Sequence, residues 1–291
     1  MGSLTLAAIV FAVVFVGGAI GLELQRVLPE SYTTGGPKDM TGAVVGLMTL
    51  LLALVLGLLI WTAYGVFSIQ KASVQTLAIT DLKLDEAFQD YGPEAAEGQR
   101  ILRDGIKNTI AEIWGDHDVE DEAVIHRFGY AYANLKARIV FLNTLQPASA
   151  EQTAAKAEAM QAAVAIDQTL SQMTLALVDP ISYSLISVVV AWAAFLFCGY
   201  GLLSKRHPMS YVVLVIGALG VASAIYIIVD LISPFSGVFV VSPEPLADVL
   251  RAIEEAAAPG GQPSVAARRR QRVNRFAAKE PESRLSGRKI R

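Results

Sequence analysis

Residues 43–67 read AVVGLMTLLLALVLGLLIWTAYGVF, an apolar run that contains no charged side chain. At ~1.5 Å of helical rise per residue, this run is long enough to cross a hydrocarbon core of about 30 Å with some tilt. A helix in the core of a soluble domain would instead show a polar stripe along one side. The stretch therefore predicts a membrane-spanning helix.

Three further apolar runs have a similar length and cover residues 4–22, 181–203 and 211–232. Each is close to the ~20 residues that a spanning helix needs. The first run lies near the N-terminus, but no Lys or Arg precedes it and no convincing cleavage motif follows Gly21. We therefore interpret it as a retained helix rather than a signal peptide, and we expect four spans in total.

Residues 69–179 form an extramembrane stretch in which apolar side chains recur at helical spacing. Helix ends are predicted at Gly92–Pro93, at Gly115 and before Pro147. Strand-like alternation is absent from this region, so we expect an all-α membrane protein: four transmembrane helices with a helical extramembrane region formed between the second and third spans. The predicted buried positions are Leu77, Leu84, Phe88, Tyr91, Leu102, Ile106, Ile110, Ile113, Ile125, Phe128, Tyr132, Leu135, Ile139, Leu142, Ala159, Ala163, Ile166, Leu170, Met173 and Leu177.

The chain is expected to divide into five parts by composition. Small residues at the spacing of Gly17 and Gly21, and of Gly42 and Gly46, suit close helix packing in the first two spans, although Gly is also simply common in membrane helices. The expected parts are residues 1–68 with the first two spans, 69–179 as the acidic helical soluble region, 180–242 with the third and fourth spans plus a short interfacial segment, 243–257 as an amphipathic helix, and 258–291 as a basic disordered tail.

The small net charge of −3 hides a separation of charge along the chain. Residues 70–179 contain 9 Lys and Arg against 17 Asp and Glu, whereas residues 268–291 contain 10 basic residues against 2 acidic ones. Such a tail suits contact with anionic lipid, docking on the acidic middle of its own oligomer, or plain solvation. Nucleic-acid binding is not expected, since the tail lacks interleaved aromatic residues apart from Phe276. The candidate lipid or partner contacts are Arg268, Arg269, Arg270, Arg272 and Arg275.

The sequence offers little support for an enzyme or a metal site. The single cysteine, Cys198, lies in an apolar run, and the three histidines are scattered at His117, His126 and His207. The acidic run at residues 116–122 lacks the glycine and the ligand spacing of an EF-hand, so it reads better as a solvated helix cap. We expect no enzymatic activity, no cofactor and no metal.

Several patches together resemble a bacterial membrane-protein family of unassigned activity described as bestrophin-like. The most specific parts are Tyr91-Gly92-Pro93-Glu94 and residues 230–237. The patches are LLALVLGLLIWTAYGVF leading into VQTLA, then LDEAFQDYGPEAAEGQRILRDGI, IAEIWGD and DLISPFSGVFVVSPEPLADVL.

This resemblance implies four membrane helices, the second and third of them prolonged into a helical cytoplasmic region. Bestrophins themselves are pentameric anion channels with an apolar neck on the second membrane helix. The sequence departs from animal bestrophins after residue 232, where residues 233–245 contain only one acid, Glu244. A calcium clasp is therefore not expected here.

Trp61, Tyr64 and Phe67 recur every three residues at the soluble end of the second span. One interpretation is an interfacial aromatic belt. The other is an apolar ring around an oligomer axis that gates conduction by dewetting, which Val55, Leu58 and Leu59 would continue one and two turns earlier.

Asp230 is the one acid within an apolar run. An ionisable group at membrane depth is costly and normally has a reason. Three roles are open from the sequence: a pairing with Lys71, a backbone cap, or a part in permeation.

The leading functional hypothesis is an oligomeric channel for small anions, a pentamer by resemblance, in a bacterial inner membrane. The alternative is a non-conducting scaffold or anchor whose helical region and basic tail bind a partner or anionic lipid. Four spans place both termini and the soluble region on one side. Lys205, Arg206 and His207 in a short loop argue that the loop is cytoplasmic, whereas the basic tail and the resemblance favour a cytoplasmic soluble region.

Overall fold

The computed structural model describes residues 2–29, 35–115, 122–177, 183–204 and 207–257. Within these ranges all regular secondary structure is helical, which confirms the all-α prediction. A short 3₁₀ turn at Pro93–Ala95 separates the second and third helices. The helices are α1 (Ser3–Val27), α2 (Gly36–Tyr91), α3 (Ala96–Trp114), α4 (Glu122–Thr144), α5 (Ala150–Leu177), α6 (Tyr183–Leu203), α7 (Pro208–Ile232) and α8 (Glu244–Ala257).

Four of the described helices are long and apolar enough to cross a membrane, namely α1, α2, α6 and α7. This confirms the expected four spans. The α2 helix has 56 residues, which at ~1.5 Å per residue far exceeds a hydrocarbon core of about 30 Å. The apolar residues 43–67 account for the crossing, and the rest of α2 extends beyond the membrane.

The helix α2 ends where the sequence predicts an end. Gly92 has a φ of 112°, a conformation that side chains with a Cβ rarely adopt. Pro93 follows and cannot continue the backbone hydrogen-bond ladder. The last turn closes with the Gly92 amide donating to the Phe88 carbonyl over 3.3 Å.

The described parts of residues 1–74, 116–128 and 169–242 form one compact unit, which contains the four spans. Here α1 packs against both α6 and α7. Glycine permits this approach: a Cβ on Gly17 would lie 2.7 Å from the carbonyl oxygen of Ala194, and one on Gly21 would collide with the Cys198 carbonyl. The small-residue spacing in α1 is thus used for close helix packing.

The described parts of residues 75–115, 129–168 and 243–291 form a second unit. Its core contains Leu84, Phe88, Leu102 and Leu142, each at most 1% exposed. The rings of Phe88 and Phe141 meet edge to face at 6.1 Å. Most of the apolar positions predicted from the sequence are buried or half-buried, while the Ile125 side chain lies outside the described residues.

The amphipathic helix α8 belongs to the second unit and packs on α3. Its apolar face buries Leu246 and Ile253, each 2% exposed. Lys107 of α3 and Glu254 of α8 form an ion pair with 2.7 Å between Nζ and Oε1. In this protein the apolar face of α8 is therefore covered by α3.

Candidate functional site

The span of α2 has one buried and one exposed face. Val45, Leu52, Leu59 and Ala63 are buried in the first unit. The opposite face consists of apolar side chains that are 47–73% exposed: Leu47, Leu50, Leu51, Leu54, Leu58, Trp61 and Tyr64. We call this set the α2 exposed face.

The structure separates the six neck candidates chosen from the sequence. Leu58, Trp61 and Tyr64 lie on the α2 exposed face. Leu59 is only 5% exposed and belongs to the core of the unit. The remaining two candidates, Val55 and Phe67, are partly buried and pack against that core.

Four residues of the α2 exposed face were missed by sequence reasoning: Leu47, Leu50, Leu51 and Leu54. The signal for them was available. Val45, Leu52 and Leu59 repeat every seven residues and define the buried stripe, so residues about half a turn away, such as Leu47 and Leu54, belong to the opposite side.

Glycines of this span meet no neighbouring atoms. A Cβ added at Gly42, Gly46, Gly57 or Gly65 would find nothing within 4 Å. In α1, by contrast, the space beside Gly17 and Gly21 is occupied by backbone atoms of α6. The surface around the α2 glycines is therefore open to close approach by another helix.

The threonine hydroxyl groups at positions 49 and 62 of this span have partners inside the first unit. Thr62 donates to the Leu58 carbonyl over 2.9 Å. The hydroxyl of Thr49 donates to the Val45 carbonyl and lies 2.8 Å from the Tyr200 hydroxyl of α6. The α2 exposed face itself presents aliphatic and aromatic surface without a charge, which suits either lipid or a hydrophobic constriction.

Asp230 is 1% exposed and sits at the end of α7. Its Oδ2 accepts hydrogen bonds from the backbone amides of Val238 at 3.0 Å and Phe239 at 2.8 Å. The Lys71 side chain is exposed. Of the three roles open from the sequence, this geometry supports the backbone cap.

The second unit contains a buried ion pair that the sequence analysis did not identify. Arg138 of α4 donates from Nη1 to Oδ1 of Asp81 over 2.7 Å. Its Nη2 lies 3.5 Å from the Leu102 carbonyl oxygen. Gly105 makes room for the Arg138 guanidinium, since a Cβ on residue 105 would come within 2.7 Å of Nη2. Burial raises the pKa of Asp81, and the charge and hydrogen bond of Arg138 oppose that rise.

One turn later on α2, Asp85 is also buried, 2% exposed. It accepts hydrogen bonds from Gln89 at 2.6 Å and Gln99 at 3.4 Å. Burial raises its pKa, and the hydrogen bond from Gln89 together with the nearby Arg103 offsets only part of the rise. The sequence did contain a sign of both buried groups. Asp81 and Asp85 lie on the same side of α2 as the apolar residues Leu77 and Leu84, where a buried side chain is expected.

Several candidates from the sequence lie outside the described residues. These include the acidic run at 116–121 and the loop residues Lys205 and Arg206. His207 is described, and its Nδ1 accepts from the Met209 amide at 3.2 Å as the cap of α7. Also outside are the five tail arginines, Arg268, Arg269, Arg270, Arg272 and Arg275.

Two solved structures share this fold. A mutant of a bacterial bestrophin homologue from Klebsiella pneumoniae matches with a TM-score of 0.61 and 14% identity, covering 85% of this chain and 99% of its own. A mutant of a protein described as a membrane protein matches with a TM-score of 0.62 and 14% identity, covering 88% and 99%. No curated protein matches the sequence significantly. The model of the Bestrophin-like domain matches residues 8–246, so the chain belongs to the Bestrophin-like family.

Proposed function

We propose that this protein assembles from several copies into a membrane channel for small anions, with the α2 exposed face lining the pore. The observation that carries the proposal is the division of α2 into a face buried in its own unit and an uncharged apolar face that its own unit leaves open. Membership of the Bestrophin-like family supports a channel, and the resemblance to bestrophins, whose neck lies on the second membrane helix, supports the choice of this face.

Exposure alone does not distinguish α2, because α1, α6 and α7 also present apolar side chains such as Ile20, Phe195 and Leu219. The α2 helix differs in two respects. It has four glycines, at 42, 46, 57 and 65, where an added Cβ would find nothing within 4 Å, whereas α7 has one such glycine, Gly220; this series permits close approach by neighbouring copies. It also continues beyond the membrane, so copies around an axis would form both a neck and a vestibule.

In this arrangement the neck is formed by rings of Leu54, Leu58 and Trp61, with Tyr64 at the edge. A narrow apolar ring excludes water until it widens, and ions cross only when it is hydrated. The neck thus acts as a gate without any charged group.

Three further features of the proposal come from the resemblance to bestrophins. They are the assembly of five copies, the preference for anions, and the placement of the extramembrane helices on the cytoplasmic side of a bacterial inner membrane. The α2 exposed face carries no ring of charges from which a preference for one ion follows.

The proposal is tested by ion flux from liposomes that contain the purified oligomer. We expect chloride efflux above that of empty liposomes, and a several-fold increase in Leu58→Ala and Tyr64→Ala, which widen the neck. Matched controls are Leu219→Ala and Phe195→Ala, since both side chains are similarly exposed but lie on α7 and α6. These control variants should conduct like the unmodified protein.

A monomer in mild detergent would contradict a shared central pore. A well-folded oligomer without chloride or cation flux, unchanged by both widening substitutions, would contradict conduction as a whole. Either result would favour the scaffold hypothesis, in which the spans serve only as an anchor.

A further inference from the structure

The segment that follows α7 is a compact turn held by Asp230. Residues 232–243 contain no charged side chain. Gly237 has a φ of 100°, and a Cβ there would collide with the Asp230 carboxylate. The chain therefore passes directly over the carboxylate, and only glycine fits at this point.

Five of the backbone amides in this turn have a partner inside the protein. Asp230 accepts from Val238 and Phe239. The amide of Ser233 donates to the Asp230 carbonyl, that of Ser236 to the Ser233 carbonyl, and that of Val241 to the Pro234 carbonyl at 2.8 Å. Pro234 has no amide hydrogen. Each backbone donor that is paired in this way lowers the cost of placing non-helical chain next to lipid.

The tip of this turn exposes consecutive apolar side chains. Val238 is 72% exposed, Phe239 42% and Val240 41%. The base of the turn is buried, with Val241 at 2% and Phe235 at 8%, and the Phe235 ring meets that of Phe128 edge to face at 5.9 Å. The turn therefore has a buried base and an exposed apolar tip, which we define as residues 238–240.

We infer that the 238–240 tip inserts into the lipid bilayer at the boundary between headgroups and acyl chains. Lipid is the occupant because the tip begins six residues after Ile232, where the membrane-spanning helix α7 ends. The lipid-facing surface of α7 therefore continues into the turn without an intervening charge. Apolar and aromatic side chains at this depth are favourable. The inference rests on the membrane-spanning fold and is independent of conduction.

The experiment uses the full chain with Cys198→Ala, which removes the single native thiol. Val238→Cys is labelled with the environment-sensitive fluorophore NBD after reconstitution into phosphatidylcholine vesicles. Quenching is measured with phospholipid that carries a nitroxide near the headgroup, and separately with aqueous iodide. Leu219→Cys in the α7 span gives the lipid reference, and Ala154→Cys, exposed on the extramembrane helix α5, gives the water reference.

We expect the label at 238 to be quenched by the nitroxide lipid, to have a blue-shifted emission, and to be quenched by iodide several-fold less than the label at 154. Iodide quenching equal to that at 154 would overturn the inference, since the tip would then lie in water. Shielding from both quenchers would also overturn it, because a second copy of the chain would then cover the tip. Because Val238 is exposed, its substitution leaves the packed base of the turn intact.

Discussion

Arg138 and Asp81 form an ion pair inside the extramembrane unit, with 2.7 Å between Nη1 and Oδ1 and side chains only 5% and 7% exposed. The two residues come from different helices, α4 and α2. The desolvation of such a pair consumes much of its Coulomb attraction, so its presence adds little net stability. The loss of one partner is different, because the other charge is then left buried and uncompensated.

We therefore expect Arg138→Met to lower the free energy of unfolding by ~3–5 kcal/mol. The double variant Asp81→Leu/Arg138→Met should recover most of that loss, since it buries no charge. The measurement is denaturant unfolding of the detergent-solubilised protein, followed by circular dichroism. Arg100→Met is the control, because Arg100 pairs with Glu97 at an exposed site and should unfold like the unmodified protein. A double variant as unstable as Arg138→Met would contradict the electrostatic explanation.

A second prediction concerns Asp85, whose pKa burial raises above its ordinary value near 3.8. The folded protein then holds this proton more tightly than the unfolded chain, so the contribution of Asp85 to stability falls as the pH rises from that value through the raised pKa. In Asp85→Asn this part of the pH dependence should disappear, leaving the variant relatively more stable at neutral pH.

The measurement is the free energy of unfolding across about pH 4 to 7 for both proteins. Asp167→Asn, an exposed position on α5, should retain the slope of the unmodified protein. A slope unchanged in Asp85→Asn would show that Asp85 titrates alike in the folded and unfolded states.

A third prediction concerns the turn after α7. Gly237→Ala should destabilise the protein by at least ~1–3 kcal/mol, the usual cost of a backbone conformation that non-glycine residues avoid, because its Cβ would also displace the Asp230 carboxylate. Gly220→Ala on α7 is the matched control, since a Cβ there meets nothing within 4 Å. Thermal unfolding in detergent compares the two, and equal midpoints would contradict the proposed fit of chain and carboxylate.

The fold was largely predictable because the apolar residues of the sequence are arranged in long runs and in repeats of helical spacing. Apolar runs of spanning length predicted four membrane helices, and repeats at three and four residues identified positions such as Leu84 and Leu102 that are now seen to be buried. Helix ends at Gly92 and near Gly115 followed from backbone chemistry.

The neck candidates were less predictable, and the reason is geometric. Trp61, Tyr64 and Phe67 are spaced three residues apart. Because an α-helix has 3.6 residues per turn, each of these steps falls about 60° short of a full turn, so successive side chains point in different directions around the helix axis. The series therefore moves from the exposed side at Trp61 toward the buried side at Phe67. A seven-residue repeat that starts from Leu52 and Leu59 would have separated the buried face of α2 from its exposed face.

The buried polar groups depended on partners that no local pattern reveals. Arg138 lies 57 positions from Asp81, and Asp230 is capped by amides eight and nine residues later in an irregular turn. Such pairings follow from the tertiary fold.

We propose that the α2 exposed face lines an ion pathway, and Leu58 and Leu59 allow a direct test of this proposal. They are neighbours in sequence, yet Leu58 is 60% exposed and Leu59 only 5%. Each is replaced by cysteine in the Cys198→Ala protein, and chloride efflux from liposomes is measured before and after a charged, water-soluble thiol reagent is added. Leu219→Cys, exposed on α7, controls for a position facing lipid.

We predict that the reagent abolishes most of the efflux in Leu58→Cys and leaves Leu59→Cys and Leu219→Cys unchanged, because only the first thiol meets water in the pore. Efflux that continues undiminished in Leu58→Cys, with or without attachment of the reagent, would contradict a pore lined by the α2 exposed face.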